Sequence, residues 1–163
     1  EVENSVLDSK NGITLRLATV FGASPRMRMD LLVNDFTYQA YKNRSIVLFE
    51  SHFKRNFIHV KDVCRAFIHA IENFDKMKNE PYNVGLSTAN LSKGELCEKI
   101  QDFVPSFEIY LSEHGKDPDK RNYIVSNDKL ESTGFMPKYN LDYGIPELLK
   151  LYSLMKNYTH GNV

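Results

Sequence analysis

The chain has 163 residues, with 21 Lys and Arg against 21 Asp and Glu, 42% apolar residues and no Trp. These values exclude a disordered, collagen-like or coiled-coil chain, and a formal charge of zero argues against a nucleic-acid binder, which needs a basic surface. One domain with its own core is the expectation from length.

No apolar run approaches the ~20 residues of a membrane helix. The start, Glu1-Val2-Glu3-Asn4-Ser5, has neither the basic nor the apolar stretch of a signal peptide, so a cytoplasmic protein with no membrane partner is expected. Cys64 and Cys97 lie in apolar-periodic segments without CxxC spacing and read as buried free thiols.

Residues 2–10 carry apolar residues at helical spacing and close at Asn11-Gly12, so the chain begins as if inside a helix. Residues 13–21 (Ile-Thr-Leu-Arg-Leu-Ala-Thr-Val-Phe) predict one mostly buried strand, followed by a loop from Gly22 to Arg28. A helix follows over 30–41, then short strands at 45–49 and 57–60. Asp62 is expected to cap a helix whose apolar set is Val63, Ala66, Phe67, Ala70, Ile71 and Phe74. Residues 82–85 predict a further buried strand. Ser92-Lys93-Gly94-Glu95 is a capping box, with Leu91 and Leu96 as its hydrophobic staple. A strand at 107–111, a short helix at 126–132 and a final helix capped by Asp142 complete the pattern. The alternation favours an α/β fold with parallel strands. The most polar stretch, Lys116-Asp117-Pro118-Asp119-Lys120-Arg121, reads as a surface loop.

Three basic pairs adjoin strand ends or loops: Arg26 with Arg28, Lys54 with Arg55, and Lys120 with Arg121. Arginine suits bidentate phosphate contact, although such pairs are commonly solvated surface charge. Arg55-Asn56-Phe57-Ile58-His59-Val60-Lys61-Asp62-Val63 is more specific, because it puts a guanidinium directly before a strand and an acidic residue just after it. Phe57 and His59 would share one face of that strand, Ile58 and Val60 the other. The segment resembles the Arg-x-Phe/Tyr-Ile-His-Val-x-Asp-Val pattern of extended short-chain dehydrogenases/reductases acting on nucleotide sugars, the NAD-dependent epimerase/dehydratase family. In the same order, Leu15 to Gly22 is similar to the family's sixth strand and turn, and Ile46-Val47-Leu48-Phe49 to the strand meeting the nucleotide base. Tyr82-Asn83-Val84-Gly85 resembles the last Rossmann strand. Asp117 to Arg121 with the Gly134-Phe135-x-Pro137 turn resembles the C-terminal nucleotide-binding segment.

The resemblance implies the C-terminal part of a Rossmann-type parallel sheet plus a smaller mixed α/β substrate-binding domain. About 1–28 and 60–86 would be Rossmann-associated, and about 29–59 and 87–163 mainly nucleotide-sugar-binding. It further implies that Arg55 grips the diphosphate, that Arg121 closes on the nucleotide, and that Leu48 and Phe49 meet the base largely through backbone. Asn34 would contact phosphate, and Thr19 and Val20 would face the nicotinamide and sugar phosphates. Thr19 stands where relatives often carry Asn, and Glu50-Ser51-His52-Phe53 replaces a Gly-rich hairpin. Implied partners are a nucleotide-diphosphate sugar, NAD or NADP, and a second subunit in a homodimer of the intact enzyme.

The sequence holds neither the Gly-rich turn that seats a dinucleotide pyrophosphate nor a suitably placed Tyr-x-x-x-Lys. Tyr38 and Lys42 have that spacing but follow the sixth-strand match. Val2-Glu3 fits the Ala-Glu pair that follows the family's dyad helix, so the expectation is a C-terminal half, with no catalytic residue and no NAD-binding half of its own. The intact enzyme would oxidise a sugar transiently to a keto-sugar. The competing reading is a family member that keeps the site but serves as a sensor or scaffold. Gly22-x-Ser24-x-Arg26 is not a hydrolase elbow, and His52, His59 and Cys64 read as structural, with no metal expected.

Overall fold

Strand and helix alternate along most of the chain, as the α/β expectation requires. The computed structural model describes residues 1–112 and 121–155. The first elements are α1 (Val2–Asp8), β1 (Thr14–Leu17), β2 (Thr19–Phe21), α2 (Leu32–Lys42), β3 (Ser45–Phe49), β4 (Lys54–His59) and α3 (Val60–Glu72). They continue as α4 (Phe74–Met77), β5 (Pro81–Val84), β6 (Asn90–Ser92), α5 (Lys93–Gln101), β7 (Glu108–Ser112), α6 (Asp128–Glu131) and α7 (Leu141–Leu154). Of the polar loop expected at 116–121, only Arg121 belongs to the described residues. None of the described helices is long and apolar enough to cross a membrane.

Among the described residues the strands form three small sheets. β1 pairs parallel with β5, Leu15 opposite Tyr82. β4 is central in the second sheet, parallel to β2 (Thr19 opposite Phe57) and antiparallel to β6 (Arg55 opposite Leu91). β3 pairs parallel with β7, Ile46 opposite Ile109. The single strand expected over 13–21 is thus two. At Ala18, whose N–H donates to the Val84 carbonyl at 2.9 Å, the chain leaves β5 and takes β4 as its neighbour.

The helix after β4 begins three residues earlier than expected. His59 is its cap, accepting the Lys61 N–H on Nδ1 at 3.2 Å, and Val60 opens the helix rather than ending the strand. Asp62 sits fully buried in the first turn and takes up main-chain N–H groups of Lys138 and Tyr139. The α7 cap is likewise Asn140, not Asp142; its side chain accepts the Tyr143 N–H. The Ser92–Glu95 capping box is present in both directions.

The core gathers Phe21, Phe57, Ile58, Leu96, Ile145 and Leu148 between the strands and the faces of α2, α5 and α7. Each such side chain contributes roughly 1.5–3 kcal/mol relative to exposure. β4 is buried on both faces from Arg55 to His59, so its expected alternation does not separate core from solvent. On α3 the apolar residues form two stripes: Val63, Ala66 and Ala70 face the core, while Phe67, Ile68 and Ile71 are exposed. Cys64 joins the exposed stripe, correcting the expectation of two buried thiols; Cys97 is buried, and burial pushes its thiol up to about 12.

Candidate functional site

β1 to β4 and the first turns of α2 and α5 surround a cleft of about 600 Å3. One wall is Val47, Leu48 and Phe49 of β3, and another is the run from Leu17 to Val20 across the strand break. Arg28, Asp30 and Asp35 border it from the α2 side, and Arg55, Lys93, Arg121 and Tyr123 from the other.

Arg55 is only 2% exposed, because β4 is flanked on both sides and the strand delivers the side chain inward. Its Nη1 donates to the Lys54 carbonyl at 2.9 Å, and its guanidinium lies 5.4 Å from the Tyr123 ring centre. Two asparagines bring the later segment to this place. Asn122 Oδ1 accepts the Lys54 N–H at 2.9 Å, while Asn90 bonds both main-chain groups of Val125, at 2.9 and 3.0 Å. Arg121 is carried to the cleft by that docking. Lys93, 4% exposed, occupies the first turn of α5 and donates from Nζ to the Phe49 carbonyl, with the Phe53 ring 5.5 Å away. Arg28 is held by Asp30 through two bonds, at 3.1 and 2.5 Å. Arg55, Lys93 and Arg121 therefore concentrate positive charge on one side of a cleft that also offers aromatic rings and a strand edge. Such an arrangement suits a phosphorylated ligand with a planar group.

Of the seven residues predicted to bind ligand, Thr19, Val20, Leu48, Phe49, Arg55 and Arg121 border this one cleft. Asn34 is buried behind it: Oδ1 accepts the Gly22 N–H at 3.1 Å and Nδ2 donates to the Arg28 carbonyl at 2.8 Å. Lys93 was not singled out from sequence. Its signal was available, since a lysine in the first turn of a helix opposes the helix dipole. Tyr38, of the Tyr38/Lys42 spacing, packs edge-on against Tyr152 at 5.3 Å.

A second polar cluster ties α7 to the end of β4. His59 Nε2 donates to Glu147 Oε2 at 2.9 Å, since Nδ1 is already an acceptor, and Lys61 Nζ donates to Glu147 Oε1 at 2.5 Å and Tyr143 Oη at 2.8 Å. The Ala23 N–H donates to Glu147 as well, at 3.0 Å. Gly22 turns the chain there at φ 111°; a Cβ would lie 2.4 Å from His59 Nε2. Burial lowers the His59 pKa despite the opposing pull of Glu147. Burial works against the Glu147 carboxylate, yet Lys61, the Ala23 N–H and His59 hold its pKa below the ordinary range. Both shifts act in one direction. The unfolded chain takes a proton at His59 more readily than the folded one, so stability falls as pH drops through the ordinary His value of 6.5. Glu147 adds a further loss below 4.5. Thermal melts should show a Tm that declines from neutral to acidic pH, and His59→Gln should flatten the part of the decline around 6.5; an unaltered slope would rule His59 out as its source.

Residues 5–85 match the profile of the NAD dependent epimerase/dehydratase family. The chain belongs to that family. Among curated proteins it is 32% identical over 84 residues to anthocyanidin reductase ((2S)-flavan-3-ol-forming) of Vitis vinifera, a match covering 52% of this chain and 23% of the reductase. The ADP-L-glycero-D-manno-heptose-6-epimerase structure of Helicobacter pylori superposes with a TM-score of 0.75 at 23% identity, over 94% of this chain and 49% of that one. UDP-glucose 4-epimerase of Thermotoga maritima, solved with UDP-glucose, gives a TM-score of 0.73 at 21% identity, over 88% and 46%. These structural likenesses establish the Rossmann-like fold of the epimerase/dehydratase family for this chain, which spans about half the length of the solved relatives.

Proposed function

We propose that this chain is the nucleotide-sugar-binding part of an NAD(P)-dependent nucleotide-sugar epimerase/dehydratase that oxidises its substrate transiently to a keto-sugar. The observation that carries the reading is the convergence of Arg55 and Arg121 on a cleft bordered by Val47, Leu48 and Phe49 of β3. The guanidiniums would take the diphosphate, and Leu48 and Phe49 the base. The sugar would then extend toward Thr19 and Val20. Asn34 would act through the turn at Gly22 that its side chain holds, rather than by touching phosphate.

Thr19 and Val20, which border the cleft, would face one end of a nicotinamide dinucleotide. The Gly-rich turn for its pyrophosphate is not in this sequence. When bound, the dinucleotide supplies the hydride acceptor. This chain's residues bind and orient the sugar nucleotide; no catalytic acid/base pair is assigned to them. The segments 1–28 and 60–86 are proposed to belong with the dinucleotide-binding part. The exposed stripe Cys64, Phe67, Ile68 and Ile71 on α3 and the exposed Leu17 of β1 support that assignment, since each offers apolar surface for further packing.

Arg55→Ala should weaken binding of a nucleoside diphosphate sugar about 10- to 100-fold, the scale of a charged hydrogen bond (~1.5–3 kcal/mol). Calorimetric titration with UDP-glucose measures this, and an unchanged dissociation constant would remove Arg55 from the site.

A further inference from the structure

We propose that Lys93 is a substrate-reading residue that contacts the nucleobase, a role resting on the nucleotide-diphosphate reading above. The ammonium is almost wholly buried and sits in the first turn of a helix, where both desolvation and the helix dipole disfavour a cation. Its placement is nevertheless defined: Nζ donates to the Phe49 carbonyl at the end of β3, inside the cleft.

The edge of β3 decides which part of a nucleotide belongs there. Among the described residues β3 is paired only with β7, and Val47, Leu48 and Phe49 border the cleft in succession. A strand edge presents both N–H and C=O groups. A nucleobase edge also carries donors and acceptors side by side in one plane, whereas phosphate oxygens only accept and are repelled by the Phe49 carbonyl. That carbonyl has two lone pairs, so a base N–H on one places the neighbouring ring acceptor beside Nζ on the other. Arg55 and Arg121, with forked donors, are the groups shaped for phosphate. The cations of the cleft therefore divide, guanidiniums to the diphosphate and Lys93 to the base.

The test is calorimetric binding of UDP and of inorganic pyrophosphate to the full chain and to Lys93→Met, which keeps the length of the side chain without its charge. UDP affinity should fall roughly tenfold or more, the scale of one charged hydrogen bond, while pyrophosphate affinity stays unchanged. Arg55→Lys should weaken both probes. Equal losses for the two probes in Lys93→Met would place Lys93 at the phosphates, and no loss for either would take it out of the site; each outcome overturns the proposal. If the Met variant misfolds by circular dichroism, Lys93→Gln is read by the same ratio of affinities, which a purely structural role would not move. Failure of the unaltered chain to bind either probe would overturn the nucleotide reading itself, not this assignment alone.

Discussion

Asp62→Asn should lower the unfolding free energy by about 3 kcal/mol, with a Tm lower by about 6–12 °C for a domain of this size. The carboxylate is 0% exposed and is the meeting point of distant segments. Its oxygens accept the Lys138 N–H at 3.1 and 2.9 Å, the Tyr139 N–H at 2.8 Å and Arg65 Nη1 at 2.5 Å. An amide keeps one acceptor and turns an NH2 toward groups that only donate, leaving buried N–H groups unmatched. The loss falls on the segment that leads into α7 and so on the helix that carries Glu147. Urea denaturation with an unchanged m-value would measure it. A change below about 0.5 kcal/mol, typical of an exposed site, would show that the anchor lies elsewhere.

Gly144→Ala should destabilise by about 2 kcal/mol, although alanine is the better helix former by roughly 1 kcal/mol. The added Cβ would stand 2.3 Å from Phe21 Cε2 and 3.2 Å from His59 Cδ2. Phe21 is buried and meets the His59 ring edge-on at 5.1 Å, so neither ring has room to retreat. Gly94→Ala in α5 is the contrasting case. Its nearest neighbours are 3.7 Å away, so the propensity gain of about 0.5–1 kcal/mol should appear as added stability. Thermal melts of the two variants should therefore move in opposite directions, and a shared direction would contradict the packing described for α7.

What the sequence revealed was chiefly local or strongly patterned. The Ser92–Glu95 box is read from four adjacent residues, and the strand at 45–49 from the apolar run Ile46 to Phe49; both are found. The helix starts were misjudged where the decisive partner is far along the chain. Asp is a favoured cap, but Asp62 is claimed by main chain 76 and 77 residues away, which leaves the imidazole of His59 to cap α3. The two apolar stripes of α3 are equally periodic, so spacing cannot say which one meets this core, and Cys64 was assigned to the wrong side. The cleft itself was legible only through resemblance. Leu48, Arg55 and Arg121 are separated by dozens of residues, and their approach depends on asparagine clamps at 90 and 122 that no pattern announces.

The break at Ala18 has a geometric consequence for that cleft. Along a strand, neighbouring side chains point to opposite faces. Leu17, Ala18, Thr19 and Val20 all border the cleft in direct succession, and the chain changes partners in the middle of that run. One short stretch thereby lines the cleft without a gap, and a single inserted residue would reshuffle every contact it makes.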